Sequence, residues 1–255
     1  MIFKHFIKSV FKALNIDLTR NMRYDRYSER IIKHTLMSGS NCIDIGCHKG
    51  EILELMLAAA PHGRHYGFEP IPALYENLKI NFAHRATIFN TAVSNYTGHA
   101  SFQYVVNAPA YSGLKRRSYS VSDPNIQEIN VAVDLLDHLI PAGTPIDFIK
   151  IDVEGGELGV LQGARRILKE NSVVILFECG LGASEFYNTR PEDVYQLLVN
   201  ELGYSIYTLH HYLSSPRISL SEVEFKEHYE LNKEYYFVSA KTTKWFVYCA
   251  DHSTP

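Results

Sequence analysis

The chain has 255 residues, of which 46% are hydrophobic and 21% charged, and its formal net charge is -3 at pH 7. That length suits one large domain and is too short for two typical domains plus a linker. The slightly acidic balance gives no electrostatic ground for binding a phosphate backbone, so nucleic acid is not an expected partner, and no apolar run approaches the roughly 20 residues that a membrane-spanning helix needs.

The first predicted element is a short basic amphipathic helix. Ile2, Phe3, Phe6, Ile7, Val10, Phe11 and Leu14 recur at helical spacing, with Lys4, Lys8 and Lys12 on the other side. No small-residue cleavage site follows, so this segment is expected to stay in the mature chain. It would pack on the domain or on a partner, or lie as a peripheral contact on a membrane surface. A second helix is expected from Tyr24 to Leu36, ended by Ser38-Gly39-Ser40, and a short apolar strand runs from Cys42 to Ile45. Helix Glu51 to Ala60, strand His65 to Phe68, helix Ala73 to Phe82 and strand Thr87 to Val93 complete a βαβαβ series. Such alternation predicts a parallel sheet with its ligand crevice beyond the carboxyl ends of the strands.

Residues 94–133 break the rhythm and read as a hairpin-like insertion, with strands His99 to Val106 and Glu128 to Val133 around a polar loop. Alternation resumes with helix Leu135 to Ile140, strand Ile146 to Ile151, helix Glu157 to Lys169, strand Val173 to Phe177 and helix Pro191 to Glu201. Strands Tyr204 to Leu209 and Glu234 to Val238 are expected to pair antiparallel at the sheet edge. The fold class is α/β: one doubly wound, Rossmann-like domain with a mostly parallel sheet over residues 24–240. A helix and linker precede it in 1–23, and a tail follows in 241–255. Cys42, Cys47, Cys179 and Cys249 form no Cys-x-x-Cys pair, which points to a reduced, cytoplasmic compartment.

Three stretches carry candidate chemistry. In Cys42-Ile43-Asp44-Ile45-Gly46-Cys47-His48-Lys49-Gly50 a strand ends in Asp-x-Gly-x-x-x-Gly and opens a helix, so backbone can approach a ligand closely. The spacing is not the Gly-x-Gly-x-x-Gly of a pyrophosphate site. A cofactor without phosphates fits better, and S-adenosylmethionine is one, with Asp44 facing its ammonium directly or through water. One βα unit later, Glu69 of Phe68-Glu69-Pro70 is placed to accept hydrogen bonds from both ribose hydroxyls. Asn90, with Ala92 close by, falls at the level of the adenine; it would read the base edge or hold a turn.

The third stretch, Asp147-Phe148-Ile149-Lys150-Ile151-Asp152-Val153-Glu154-Gly155-Gly156-Glu157, delivers Asp152 and Glu154 to the crevice. Glu157 is better placed to favour the following helix N-terminus. Glu178 ends the next strand. Asp152, Glu154 and Glu178 would act as a general base toward a hydroxyl acceptor, or together bind a hard divalent ion such as magnesium. Asp152 also borders the cofactor. In the insertion, Tyr111, Ser112, Lys115 and Arg116, with Arg117 beside them, would overhang the crevice and choose the acceptor; the basic run would meet a phosphate or carboxylate, or be merely solvated. Tyr104 and Tyr187 are further aromatic candidates for stacking on a sugar, and His210-His211 reads as an ordinary strand end rather than a zinc site.

Taken together, Asp44-x-Gly46-x-x-x-Gly50, Phe68-Glu69-Pro70, Asn77-Leu78, Asn90 with Ala92, Ile149-Lys150-Ile151-Asp152-Val153-Glu154-Gly155 and Leu161-x-Gly163-Ala164 make the segment from about Asn41 to Gly180 similar to the FkbM family of S-adenosylmethionine-dependent methyltransferases. The resemblance implies methyl transfer, usually to oxygen, on small molecules or on sugars of surface glycans. The sequence departs from the family at Gly46-Cys47-His48, where Gly-Ala-Asn is common, which touches the contacts to the methionine carboxylate. A non-catalytic cofactor-binding protein would lack the Asp152, Glu154 and Glu178 cluster, and a nicotinamide-dependent oxidoreductase would carry a third glycine at another spacing.

Overall fold

In a computed structural model the described residues are 19–241. The basic amphipathic segment and Cys249 lie outside them.

The helix expected at Tyr24 begins a turn earlier, as α1 (Arg20–Thr35), because the Thr19 hydroxyl caps it by accepting the Met22 N–H at 3.2 Å. The βα series follows as β1 (Cys42–Ile45), α2 (Glu51–Ala59), β2 (His65–Phe68), α3 (Pro72–Phe82) and β3 (Ala86–Phe89). The strand expected through Val93 is cut at Asn90, and β4 (Ala92–Val93) belongs to a different sheet. After β5 (Gly98–Val105), β6 (Ile126–Asp134) and α4 (Leu136–Leu139) come β7 (Phe148–Ile151), α5 (Glu157–Gly163), α6 (Arg165–Glu170) and β8 (Val174–Glu178). The single helix expected over the α5–α6 stretch breaks at Gly163, where a Cβ would lie 2.1 Å from the Ser94 carbonyl oxygen. The chain continues through α7 (Pro191–Tyr195), which runs into a π-helical turn over Gln196–Glu201, then β9 (Ser205–Thr208), α8 (Leu209–Leu213), α9 (Glu222–Glu230) and β10 (Tyr236–Ala240). His210 and His211 therefore sit in α8, one step past the strand end.

The main sheet has the order β3-β2-β1-β7-β8-β10-β9. Its first five strands are parallel, and β10 runs antiparallel to both β8 and β9. The expected β9–β10 pairing is present, but β10 is wedged inside and β9 forms the edge. Two-residue periodicity explains the layers. Phe148, Val174, Leu176 and Val238 pack under α1 with Ile31, Ile32 and Met56. Ile149, Ile175, Phe177 and Phe237 face the opposite layer with Leu161, Ile167, Leu198 and Phe225. The sheet is thus covered on both faces, as doubly wound folds require. The insertion is the expected antiparallel pair, β5 on β6 in register Gly98↔Val133 through Val105↔Ile126, with β4 beside β6. Its apolar face, Phe102, Val131 and Val133, closes on Ile71 and Ala92. Cys42, Cys47 and Cys179 are buried and free, and no described helix is long and apolar enough to cross a membrane.

Candidate active site at the carboxyl edge of the sheet

The carboxyl ends of β2, β1, β7 and β8 open into one cavity of about 800 Å³, whose walls include Glu69, Gly46, Asp152 and Glu178. Antiparallel β10 adds Tyr236, which the register sets opposite Glu178. The insertion contributes Tyr111 and Arg117.

The glycine turn is held close to β7. Gly46 has φ +80°, and a Cβ there would lie 1.9 Å from the Asp152 carbonyl oxygen, so a larger residue would force the two strand ends apart. His48, also left-handed at φ 51°, donates its backbone N–H to Glu69 Oε2 at 2.8 Å, and Ile71 donates its own to Oε1 at 2.9 Å. Glu69 is buried, and burial pushes its carboxyl up to about 7 against the pull of those two donors. Gly50, at φ +87°, opens α2.

Asp44 is fully buried behind this turn rather than on the cavity wall. Neither of its oxygens has a hydrogen-bond partner, and burial pushes the carboxyl up, opposed by the Lys150 ammonium 3.4 Å away. Lys150 reaches the wall instead. It donates to the Gly46 carbonyl at 2.7 Å and stands 3.8 Å from Asp152 Oδ2. Burial alone would lower its ammonium, but the Asp44 and Asp152 carboxylates outweigh this and hold it above its ordinary value.

The three acids of the base or metal expectation do converge. Asp152, Glu154 and Glu178 each present an oxygen within 4.8 Å of the others. Asp152 accepts a hydrogen bond from the Tyr236 hydroxyl. Burial, and then the neighbouring Asp152 and Glu157 carboxylates, push the Glu178 carboxyl well up and favour its protonated form, with Arg117 pulling the other way. Glu154 is ion-paired with Arg117, both side chains being largely buried. With Arg117 on Glu154, Lys150 beside Asp152 and a hydroxyl donor on Asp152, the set is already answered by the chain's own cations and does not fit a resident divalent ion. Glu157 stands in the first turn of α5, but its Oε1 accepts the N–H groups of Val153 and Gly155 at 3.0 and 3.1 Å, so it shapes the loop that carries Glu154.

Of the other expected residues, Ala92 and Ser112 are on the cavity wall and Asn90, Lys115 and Arg116 are not. Asn90 is exposed and donates its amide to the carbonyls of Glu69 and Pro70, at 2.9 and 3.0 Å; Ala92 does line the wall. Ser112, which also lines the wall, spends its hydroxyl accepting the Val105 N–H at 2.9 Å. Lys115 and Arg116 point away. The first donates its backbone N–H to the Tyr187 hydroxyl and lays its ammonium over that ring, and the second binds Gln103. Tyr187 itself packs against Gly155 and Gly156, and neither it nor Tyr104 is on the wall.

Sequence reasoning missed Lys150, Tyr235, Tyr236 and the whole contribution of α1. Asn21, Tyr24, Asp25, Ser28 and Glu29 line the cavity. Their recurrence at three- and four-residue steps was the available signal.

The model of the family described as Methyltransferase FkbM domain matches residues 44–206, from the buried aspartate of β1 into β9. No curated protein matches the chain. Among solved structures, the chain is similar to a putative rRNA-methylase from Clostridium thermocellum, at 14% identity over 70% of this chain and 82% of that one, with a TM-score of 0.43. The plantazolicin methyltransferase BpumL in complex with a monoazolic desmethylPZN analog and SAH is 13% identical over 86% of each chain, with a TM-score of 0.43. The precorrin-6y C5,15-methyltransferase from Geobacter metallireducens GS-15 is 14% identical over 88% of this chain and 89% of that one, at 0.38.

Proposed function

Because the chain belongs to the FkbM family of methyltransferases, we propose that it uses S-adenosylmethionine to methylate an oxygen of a sugar or other small hydroxylated acceptor. One observation carries this reading: Glu69, Gly46, Asp152 and Glu178 end four neighbouring strands and share a single cavity.

The wall suits a phosphate-free, cationic cofactor. In the glycine turn the His48 N–H is taken by Glu69 and the Gly50 N–H by the Cys47 carbonyl at 2.8 Å, so a pyrophosphate would meet a carboxylate where it needs donors. Glu69 has acceptor capacity left for the two ribose hydroxyls. Gly46 and the His48 backbone border the methionine end, and Ala92 borders the base. Bound there, S-adenosylmethionine supplies an electrophilic methyl group on a sulfonium, open to in-line displacement by the acceptor oxygen.

Asp152 serves as the general base that takes the hydroxyl proton of the acceptor. Lys150 and Tyr236 both approach its Oδ2, which leaves Oδ1 for the acceptor. Glu178, protonated, keeps the pair at a single negative charge. Glu154 ties Arg117 of the insertion over the site. The base is favoured over magnesium because Arg117 holds the third carboxylate of the metal set. The test is transfer of a labelled methyl group to candidate acceptors by the wild type and by Asp152→Asn. Loss of transfer with retained binding of S-adenosylhomocysteine supports the reading, and undiminished transfer overturns it.

A further inference from the structure

Strand pairing sets Lys150 of β7 opposite Asp44 of β1, and two-residue periodicity puts Asp152, just past the end of β7, on the same face as Lys150. The three charged groups form a row. Lys150 Nζ stands 3.4 Å from Asp44 Oδ1 and 3.8 Å from Asp152 Oδ2, and side-chain exposure climbs along the row from 0% at Asp44 through 7% at Lys150 to 28% at Asp152. The ammonium is thus interposed between the Asp44 carboxylate and the cavity. It also donates to the Gly46 carbonyl at 2.7 Å and to that of Ile45 at 3.4 Å, which fastens it to the glycine turn.

Lys150 and Asp152 line the cavity and Asp44 does not. The influence of a charge falls with distance, so a ligand at the glycine turn feels the ammonium more strongly than the carboxylate behind it. Burial alone would drive the proton off Lys150, but the two flanking carboxylates keep it there. S-adenosylmethionine and S-adenosylhomocysteine differ at one place, the sulfur, which is methylated and cationic in the first and neutral in the second. A fixed cation near that sulfur tells the two apart.

Resting on the proposed methyl transfer, we infer that Lys150 sets the discrimination between cofactor and product. Its ammonium, and not the Asp44 carboxylate, is the charge of this pair that the sulfonium meets, and it weakens the binding of S-adenosylmethionine relative to S-adenosylhomocysteine. Gly46, to which Lys150 is fastened, borders the methionine end of the proposed cofactor site. Asp152, its other neighbour, is where the acceptor hydroxyl is engaged. The reacting sulfur belongs between those two residues, and the ammonium touches one and stands beside the other. In place of an Asp44 that faces a positive group of the cofactor, the site has a buried pair that turns its positive end to the cavity.

The experiment is calorimetric titration of the full chain with S-adenosylmethionine and with S-adenosylhomocysteine, at one pH and without acceptor. The proteins are the wild type, Asp44→Asn, and Lys150→Met combined with Asp44→Asn. The readout is the ratio of the two dissociation constants within each protein, from which the pull of Asp152 on the sulfonium, common to all three, drops out. Asp44→Asn leaves the ammonium without its rear counter-charge and is expected to shift the ratio further against S-adenosylmethionine. The double variant removes the ammonium and should shift it about fivefold the other way, the effect of one unit charge across a part-exposed cavity. A defect of structure alone would weaken both ligands in parallel and leave the ratio where it was. An unchanged ratio in either variant, or a shift of the opposite sign, overturns the inference while leaving the methyltransferase reading intact. Failure of S-adenosylhomocysteine to bind the wild type overturns that reading first.

Discussion

Lys150 Nζ lies 3.4 Å from Asp44 Oδ1 with both side chains almost wholly buried, and this ion pair joins the middle of β1 to the middle of β7 directly behind the glycine turn. Removing the cation would leave Asp44 charged and unanswered in the sheet, which costs on the order of 3–5 kcal/mol. Lys150→Met is therefore expected to unfold at markedly lower urea concentration, and Lys150→Met with Asp44→Asn to recover part of the loss. A single variant within about 1 kcal/mol of wild type would contradict this.

Glu69 gives a pH dependence with a definite sign. Its folded-state value, about 7, lies above the ordinary 4.5, so the native state holds the extra proton between those values. Its contribution to stability is accordingly present at low pH and lost as pH rises from 4.5 through 7. The ionised form is the better acceptor for ribose hydroxyls, so S-adenosylhomocysteine affinity is expected to rise through about pH 7. Calorimetry between pH 5.5 and 8.5 should show the rise in the wild type and a flat profile in Glu69→Gln; the same rise in both would assign it to another group.

Gly46→Ala places a Cβ against the Asp152 carbonyl at a left-handed φ. The strand ends must separate, with a loss of roughly 2 kcal/mol or more and collapse of cofactor binding. Thermal unfolding with and without S-adenosylhomocysteine reads both. A variant that the ligand stabilises as much as wild type would show the close approach to be dispensable.

Tyr236→Phe removes the donor that orients Asp152 while keeping the ring in place. Turnover is expected to fall about tenfold, against 100-fold or more for Asp152→Asn, with cofactor affinity held in both. Equal rates in Tyr236→Phe and wild type would remove the hydroxyl from the account.

Chelation offers a further check. With Arg117 on Glu154, EDTA is expected to leave methyl transfer unchanged and added magnesium not to raise it. Loss of activity on chelation, restored by magnesium, would return the three carboxylates to a metal role.

What could be read in the sequence was what lies within one strand and its following turn. Asp44 to Gly50, Phe68-Glu69 and Asp147 to Glu157 are contiguous, and each strand end carries its own chemistry. What escaped notice depends on residues far apart in the chain. Tyr236 reaches Asp152 only because β10 inserts antiparallel beside β8, and strand order is not written in local periodicity. Lys150 read as part of a phrase because its partner stands 106 positions earlier, across a strand pair. Among Lys115, Arg116 and Arg117 composition cannot tell which turns inward; the loop anchors at Ser112 and at the Ser118 N–H to Gly182 decide that. The cavity-lining residues of α1 carry no motif of their own, and only the packing of residues 232–236 against them brings that face to the cavity.

The most direct test is calorimetric titration of the full chain with S-adenosylhomocysteine, and in parallel with NADH, for the wild type and Glu69→Ala. The account predicts saturable binding of S-adenosylhomocysteine to the wild type, severe loss in the variant, and no binding of NADH. Absence of S-adenosylhomocysteine binding to folded wild-type protein, or equal binding of NADH, would contradict it.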